Sequence, residues 1–275
     1  MIQNKEAITN YEKNGYSIFQ GFLKNSNSLS NLENTITELG KEFFGINFSL
    51  ETPLTGENRN KLSDFYTSLR YSLDLQKLAV DSEVLDLIKS LGISHPIGMN
   101  QNNIRMDEPT RDDVLFHWHQ DITYLLGSRN SITLWIPLGK TDLHHGTIGV
   151  KKLTQRKIYD FKFTNEQGMH KKNNLAPKDV VLANEIDTLD EVTLNTERGD
   201  IVAFSQYLLH RSRSNNSNSC RWTIQLRYSD LLEPGFIESG LPMGDREIIT
   251  NVKYYGDFIH SYDTEASQTL KGQRF

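Results

Sequence analysis

The 275 residues carry 30 Lys+Arg against 35 Asp+Glu, a net charge of −5 that offers no basic surface for nucleic acid or anionic lipid. Hydrophobic residues at 37% and charged residues at 24% describe a chain with a core and exclude wholesale disorder. The one cysteine, Cys220, excludes an intrachain disulfide framework and any thiolate-rich zinc or iron–sulfur site.

That cysteine usage suits a reducing compartment. Met1 to Lys13 is polar, and no apolar run is long enough to span a bilayer. The expectation is a cytoplasmic protein with neither membrane nor nucleic-acid partners, folded as one domain over residues 1–275.

The first elements are helical. Ser30 and Glu33 stand at capping-box spacing, and Leu32, Ile36, Leu39 and Phe43 mark one face of a helix over Ser30–Phe44. A second helix is expected over Lys61–Leu78. A third begins after Asp81 or Ser82, carries Val84, Leu85, Leu87, Ile88 and Leu91, and stops at Gly92, a natural left-handed cap.

After Pro96 the period changes to two, with strands expected at Gly98–Met106, Ser131–Leu138, Thr147–Leu153, Asp200–Ser205 and Arg221–Tyr228. The chain thus divides into a helical part (1–95), a strand-rich core (about 96–230) and an extension (231–275) too irregular to assign. Such a run of strands predicts a sandwich or barrel. In the last strand Trp222, Ile224, Leu226 and Tyr228 alternate with Arg221, Thr223, Gln225 and Arg227. The ordinary expectation for the polar face is solvent. A jelly roll with helices packed outside would instead make it a ligand-lined interior.

The segment FHWHQD places His119 and Asp121 two apart, so on an extended chain both side chains point to one side and can meet one ion. Much later, the strand-like GDIVAFSQYLLH ends in His210. Two neutral imidazoles and one carboxylate on a single face of a metal leave three positions open, the arrangement of non-haem iron(II) oxygenases. Taken alone, H-x-D is commonplace, and a His pair with a carboxylate also makes a purely structural hydrogen-bond cluster. Arg221, eleven residues after His210, opens the next strand, from which a planar guanidinium can reach the far carboxylate of a ligand at the metal. His117 and Tyr124 flank the H-x-D pair, and Asn103 and Arg105 alternate with Gln101 on one side of an early strand. These four, His117, Tyr124, Asn103 and Arg105, are the candidates for touching substrate. His144-His145 is a surface turn.

HWHQD, followed by LLHRSRSNNSNSCRW, resembles the phytanoyl-CoA dioxygenase family of iron(II)/2-oxoglutarate enzymes, and YEKNGYSIFQGFL at Tyr11–Leu23 is similar to that family's opening. The resemblance implies a mainly β fold with flanking helices around a double-stranded β-helix, a cupin-like jelly roll. It implies His119, Asp121 and His210 as ligands of Fe(II), Arg221 as partner of the 2-oxoglutarate C5 carboxylate, Ser212 sharing that carboxylate, and Trp135 and Thr133 lining the cosubstrate pocket. The family's Asn-Gly turn and Pro-Gly-Ser-His stretch are absent: here His145-Gly146, TIGV and KKLTQRK follow the Trp135 strand. A carboxylate stands at Asp121, where related halogenases have a small residue, which points to hydroxylation.

The reaction so implied consumes 2-oxoglutarate and O2, releases succinate and CO2, and hydroxylates an unactivated C–H bond of a small metabolite or natural-product intermediate. The rivals are a metal-dependent cupin-like isomerase, a non-catalytic small-molecule binding module, and a 2-oxoglutarate enzyme that desaturates, epimerises or cyclises. Arg221 separates the first two from the oxygenase. Substrate identity and oligomeric state are open at this stage.

Overall fold

The computed structural model describes residues 2–54, 56–98, 102–123, 125, 127–159, 161–163, 180–182 and 186–238. Helix α1 (Ile2–Asn14) runs into strand β1 (Tyr16–Phe19), and α2 (Asn27–Phe44), a 3-10 turn (Gly56–Lys61), α3 (Leu62–Arg70), α4 (Leu73–Ala79) and α5 (Ser82–Ser90) follow. Capping chemistry sets these boundaries. The N-cap of α2 is Ser26, whose hydroxyl accepts from Leu29 N–H at 3.2 Å. Ser30 lies inside that helix and donates to the Ser26 carbonyl, while Glu33 is taken by Arg198 at 2.7 Å, so the expected capping box is not formed. The helix expected over Lys61–Leu78 is two, because Ser72 starts α4 by accepting from Leu75 N–H at 3.3 Å. Asp81 caps α5, and Gly92 turns the chain out of it at φ +94°.

The strands β2 (Pro96–Gly98), β3 (Asn103–Asp107), β4 (Ser131–Pro137), β5 (Ile148–Lys151), β6 (Phe161–Phe163), β7 (Val180–Leu182), β8 (Glu191–Thr193), β9 (Ile201–Ser205), β10 (Leu209–Ser212) and β11 (Arg221–Asp230) complete the described fold, with a last short helix α6 (Pro234–Glu238). The single strand expected at Gly98–Met106 is β2 and β3, with residues 99–101 between them outside the described set. A large antiparallel sheet runs β1-β9-β4-β11-β2, with β3 also pairing β11, and a small sheet runs β10-β5-β8. β1 therefore belongs to the core sheet although it lies within the helical part of the sequence. The β6–β7 pair stands apart from both sheets.

Alternation on β11 organises the interior. Trp222, Ile224, Leu226 and Tyr228, each at most 3% exposed, pack with Ile132, Leu134 and Ile136 of β4 against Leu32, Phe65, Leu75 and Val84 of the helices. Burying each such side chain stabilises the fold by roughly 1.5–3 kcal/mol. The opposite face is not solvated: Arg221, Thr223 and Arg227 are 5%, 1% and 6% exposed. The solvent expectation fails because the small sheet covers that face, with Trp135, Val202 and Phe204 of the large sheet meeting Ile148 and Val150 of β5. Two antiparallel sheets closed face to face with helices outside form a double-stranded β-helix.

Among the described residues no helix is long and apolar enough to cross a membrane.

Candidate metal centre

GDIVAFSQYLLH is not one strand. β9 ends at Ser205, the chain turns with Leu208 N–H donating to the Ser205 carbonyl at 2.9 Å, and β10 then runs in the other sheet. His210 on β10 meets His119 through a pair of backbone hydrogen bonds, each 3.0 Å, so the segment before Asp121 extends the small sheet. Directly opposed residues share a face, and the two imidazole centroids lie 4.1 Å apart.

Each ring is turned by the same device. His119 Nδ1 lies 2.6 Å from the His117 carbonyl and His210 Nδ1 lies 2.9 Å from the Leu208 carbonyl. A carbonyl only accepts, so each Nδ1 carries the proton and each Nε2 keeps its lone pair. Both Nε2 atoms lie 3.6 Å from Asp121 Oδ1, a spacing that one ion with bonds of about 2.0–2.2 Å spans. His119, Asp121 and His210 are all buried, and their ligand atoms lie within 4.8 Å of one another. They form the one such cluster among the described residues.

Asp121 starts a 3-10 turn (Asp121–Thr123) pinned by Ile122 N–H to the Gln206 carbonyl at 3.0 Å. Between the two ligands, Gln120 is 1% exposed: its amide donates to the carbonyls of Lys157 (2.8 Å) and Tyr207 and accepts from Tyr159 N–H at 2.8 Å. It fixes the ligand-bearing segment from behind. Burial alone would raise the Asp121 carboxyl, but the Arg227 charge and the two histidines outweigh it and hold the group well below the usual carboxylate range. Burial, with His119 beside it, pushes His210 down to about 4. Both shifts favour the forms a divalent metal requires, a neutral imidazole at His210 and an ionised carboxylate at Asp121.

A narrow cavity leads from His119 and His210 to Arg221, walled by Trp135, Ile148, Phe204 and Phe116, with Ser212, Thr223 and Gln225 facing it. Arg221 Nη1 donates to the Thr147 carbonyl at 3.2 Å and Nη2 pairs with Asp107 Oδ2 at 2.5 Å, while its buried Nε has no protein partner. Gly146, at φ +71°, passes so close that a Cβ there would sit 2.9 Å from Arg221 Nη1. Asp107 also pairs with Arg105 at 2.6 Å, and the Arg105 guanidinium lies 4.2 Å above the Phe116 ring. Burial pushes the Asp107 carboxyl up, and the Arg221 and Arg105 charges outweigh it, leaving it below its ordinary value. Two guanidiniums against one carboxylate leave a positive end to the cavity, suited to one further carboxylate.

The sequence candidates therefore divide. Trp135, Ser212, Arg221 and Arg105 line the cavity with His119 and His210. Thr133 points its hydroxyl at Asp121 Oδ2, 3.0 Å away, and is not among the residues that line the cavity. His117 is exposed and contributes its carbonyl to His119. Asn103 is half-buried opposite Gln225 on β11. Tyr124 and Gln101 lie outside the described residues. His144 and His145 sit on the expected surface turn, folded around Asp142.

Asp107, Gln120 and Arg227 were not singled out from sequence. Asp107 continues the alternation Asn103, Arg105, and Arg227 that of Arg221, Thr223, Gln225, so period two carried the signal for both.

A jelly roll with two histidines and an aspartate at one end of its cavity and an arginine at the other defines a metal-dependent enzyme of the cupin-like oxygenase type. The chain belongs to the phytanoyl-CoA dioxygenase family, whose model matches residues 11–223. No curated protein matches the sequence. Among solved structures it is similar to the epimerase SnoN in complex with Fe3+, alpha ketoglutarate and nogalamycin RO, at 13% identity and TM-score 0.57, covering 83% of this chain and 84% of that one. The alpha ketoglutarate dependent carbocyclase SnoK from nogalamycin biosynthesis aligns at 18% identity and TM-score 0.56, over 88% and 92% of the two chains. EctD from S. alaskensis with 2-oxoglutarate and 5-hydroxyectoine aligns at 14% identity and TM-score 0.56, over 82% and 76%. At these identities the likeness is one of fold.

Proposed function

We propose that this protein is an iron(II)- and 2-oxoglutarate-dependent dioxygenase that hydroxylates an unactivated C–H bond of a small-molecule metabolite or natural-product intermediate. The observation that carries the reading is the convergence of His119 Nε2, His210 Nε2 and Asp121 Oδ1 at one end of a cavity whose other end is Arg221. Iron(II), 2-oxoglutarate and O2 supply the oxidising chemistry there, with release of succinate and CO2.

The chain's own part is binding, orientation and exclusion of water. The carbonyls of His117 and Leu208 keep both imidazoles in the ligating tautomer. Arg221, held by Asp107 and the Thr147 carbonyl, keeps Nε for the far carboxylate of the cosubstrate, and the Ser212 hydroxyl shares it. Trp135, Phe204 and Ile148 wall the cavity, which strengthens every charge interaction inside it. Arg105 and Asn103 are the substrate-facing candidates on β3.

A 2-oxoglutarate oxygenase needs a counter-charge at the far end of the cavity, which an isomerase or binding module does not require. Because chains of this fold include an epimerase and a carbocyclase, the rival within the class is epimerisation or ring formation in place of hydroxylation.

The test is incubation with iron(II), 2-oxoglutarate and O2 across a panel of small metabolites, following succinate and the mass of any compound consumed. Gain of one oxygen atom supports hydroxylation, loss of two hydrogens indicates desaturation or cyclisation, and an unchanged mass indicates epimerisation. Succinate no greater than that made by a His210→Ala protein would sink the reading.

A further inference from the structure

The two oxygens of Asp121 have different surroundings. Oδ1 faces the imidazoles, 3.6 Å from each Nε2. Oδ2 accepts from Thr133 Oγ1 at 3.0 Å and lies 3.6 Å from Arg227 Nε, an ion-pair distance. Thr133 on β4 and Arg227 on β11 are direct partners in register, so one cross-strand pair reaches one carboxylate oxygen. Arg227 is itself fixed: Nη2 donates to Gln225 Oε1 at 2.5 Å, and its backbone N–H donates to Asn102 Oδ1 at 3.0 Å. Asp121, Thr133 and Arg227 are 5%, 0% and 6% exposed, so water does not replace these contacts.

A carboxylate on a short turn rotates easily about its last torsion, and nothing in H-x-D itself decides which oxygen faces the ion. We infer that Arg227, together with Thr133, is a positioning residue of the metal centre: the pair holds Oδ2 so that Asp121 offers Oδ1 alone and the remaining metal positions stay open. This rests on the iron and 2-oxoglutarate reading above.

Charge and position make opposite predictions for Arg227. A guanidinium this close repels a divalent cation, so Coulomb's law by itself has iron(II) binding tighten when Arg227 is removed. Positioning has it weaken, since outer partners of metal ligands ordinarily contribute roughly 10–100-fold in affinity.

The experiment is an anaerobic titration of the parent, Arg227→Met, Arg227→Lys and Thr133→Val proteins with iron(II) in the presence of 2-oxoglutarate. It reads the iron dissociation constant and the visible charge-transfer band of the bound keto acid. Arg227→Met and Thr133→Val are expected to bind iron(II) about 10–100-fold more weakly, with a displaced or weakened band at saturating iron, and Arg227→Lys to fall between. Equal or tighter iron binding with the parent's band would overturn the inference, as would a lowered melting temperature alone. If Arg227→Met does not fold, Thr133→Val, which exchanges a hydroxyl for a methyl of similar size, decides by itself. A parent that shows no band removes the iron and 2-oxoglutarate reading, and the inference with it, before any variant is compared.

Discussion

Asp107 and Arg221 face each other in direct register across β3 and β11 and form a buried ion pair at 2.5 Å, which fixes the guanidinium before any ligand arrives. Both side chains are at most 4% exposed. Arg221 also meets the Thr147 carbonyl and keeps a buried Nε without a partner, so a cosubstrate carboxylate held there, as proposed, would bring three directions of the planar fork into use. Lysine keeps the charge but has neither the fork nor the reach for all three partners. Arg221→Lys is expected to raise the KM for 2-oxoglutarate by about 10–100-fold, the equivalent of one lost hydrogen bond to a charged group. Iron(II) affinity should barely move. Steady-state kinetics at saturating iron check this, and an unchanged KM would remove Arg221 from the cosubstrate site.

Gly146 gives an independent test of the same end of the cavity. Its φ of +71° costs an L side chain about 1–2 kcal/mol, and an added Cβ would press on Arg221 Nη1 from 2.9 Å. Gly146→Ala is therefore expected to lower the melting temperature slightly and raise the KM for 2-oxoglutarate while leaving iron binding alone. A variant with parent kinetics would show that Arg221 has room to shift.

Titration of His210 sets a pH dependence. Burial holds its folded pKa down to about 4, against a free value of about 6.5. Between those values the unfolded chain takes up the proton and the folded chain does not. The stability of the metal-free protein is therefore full above about 6.5 and falls as pH drops toward about 4, by up to about 3 kcal/mol for this group. An unperturbed imidazole loses its ligating form just below that free value. The structure keeps His210 in its ligating form further into acid. Thermal unfolding of metal-free parent and His210→Gln proteins over this range checks the claim, with a shallower pH slope expected in the variant. Identical slopes would contradict it.

The two faces of β11 should respond differently. Leu226 is fully buried against the helices, so Leu226→Ala should cost about 2–5 kcal/mol of stability and leave iron affinity unchanged below the transition. Denaturant unfolding beside an iron titration checks this. A loss of metal binding in the folded variant would mean that the two faces are not separable.

Much of this was legible because it is local. Apolar periodicity marked the helices and the β11 faces, and the H-x-D pair and Arg221 stood out by spacing. What sequence reading missed is long-range or competitive. The split between α3 and α4 turns on Ser72, whose hydroxyl competes with helix propagation that the apolar pattern alone would continue. The inward burial of Thr223 and Arg227 depends on the small sheet closing over β11, which no window of the strand itself contains. Asp107 acquires its role through a partner 114 residues away, and Gln120 through Tyr207, 87 residues away. The chain reversal between Ser205 and Leu209 moved His210 to the opposite sheet while keeping it across from His119.

The most direct test of the central claim is an anaerobic titration of metal-free protein with iron(II) and then 2-oxoglutarate, comparing the parent with His210→Ala. One iron per chain and a visible charge-transfer band in the parent, weakened in Arg221→Lys and lost in His210→Ala, is the expected result. Tight binding of zinc or nickel with no band from iron and 2-oxoglutarate, or a band that survives loss of His210, would contradict the assignment of this site.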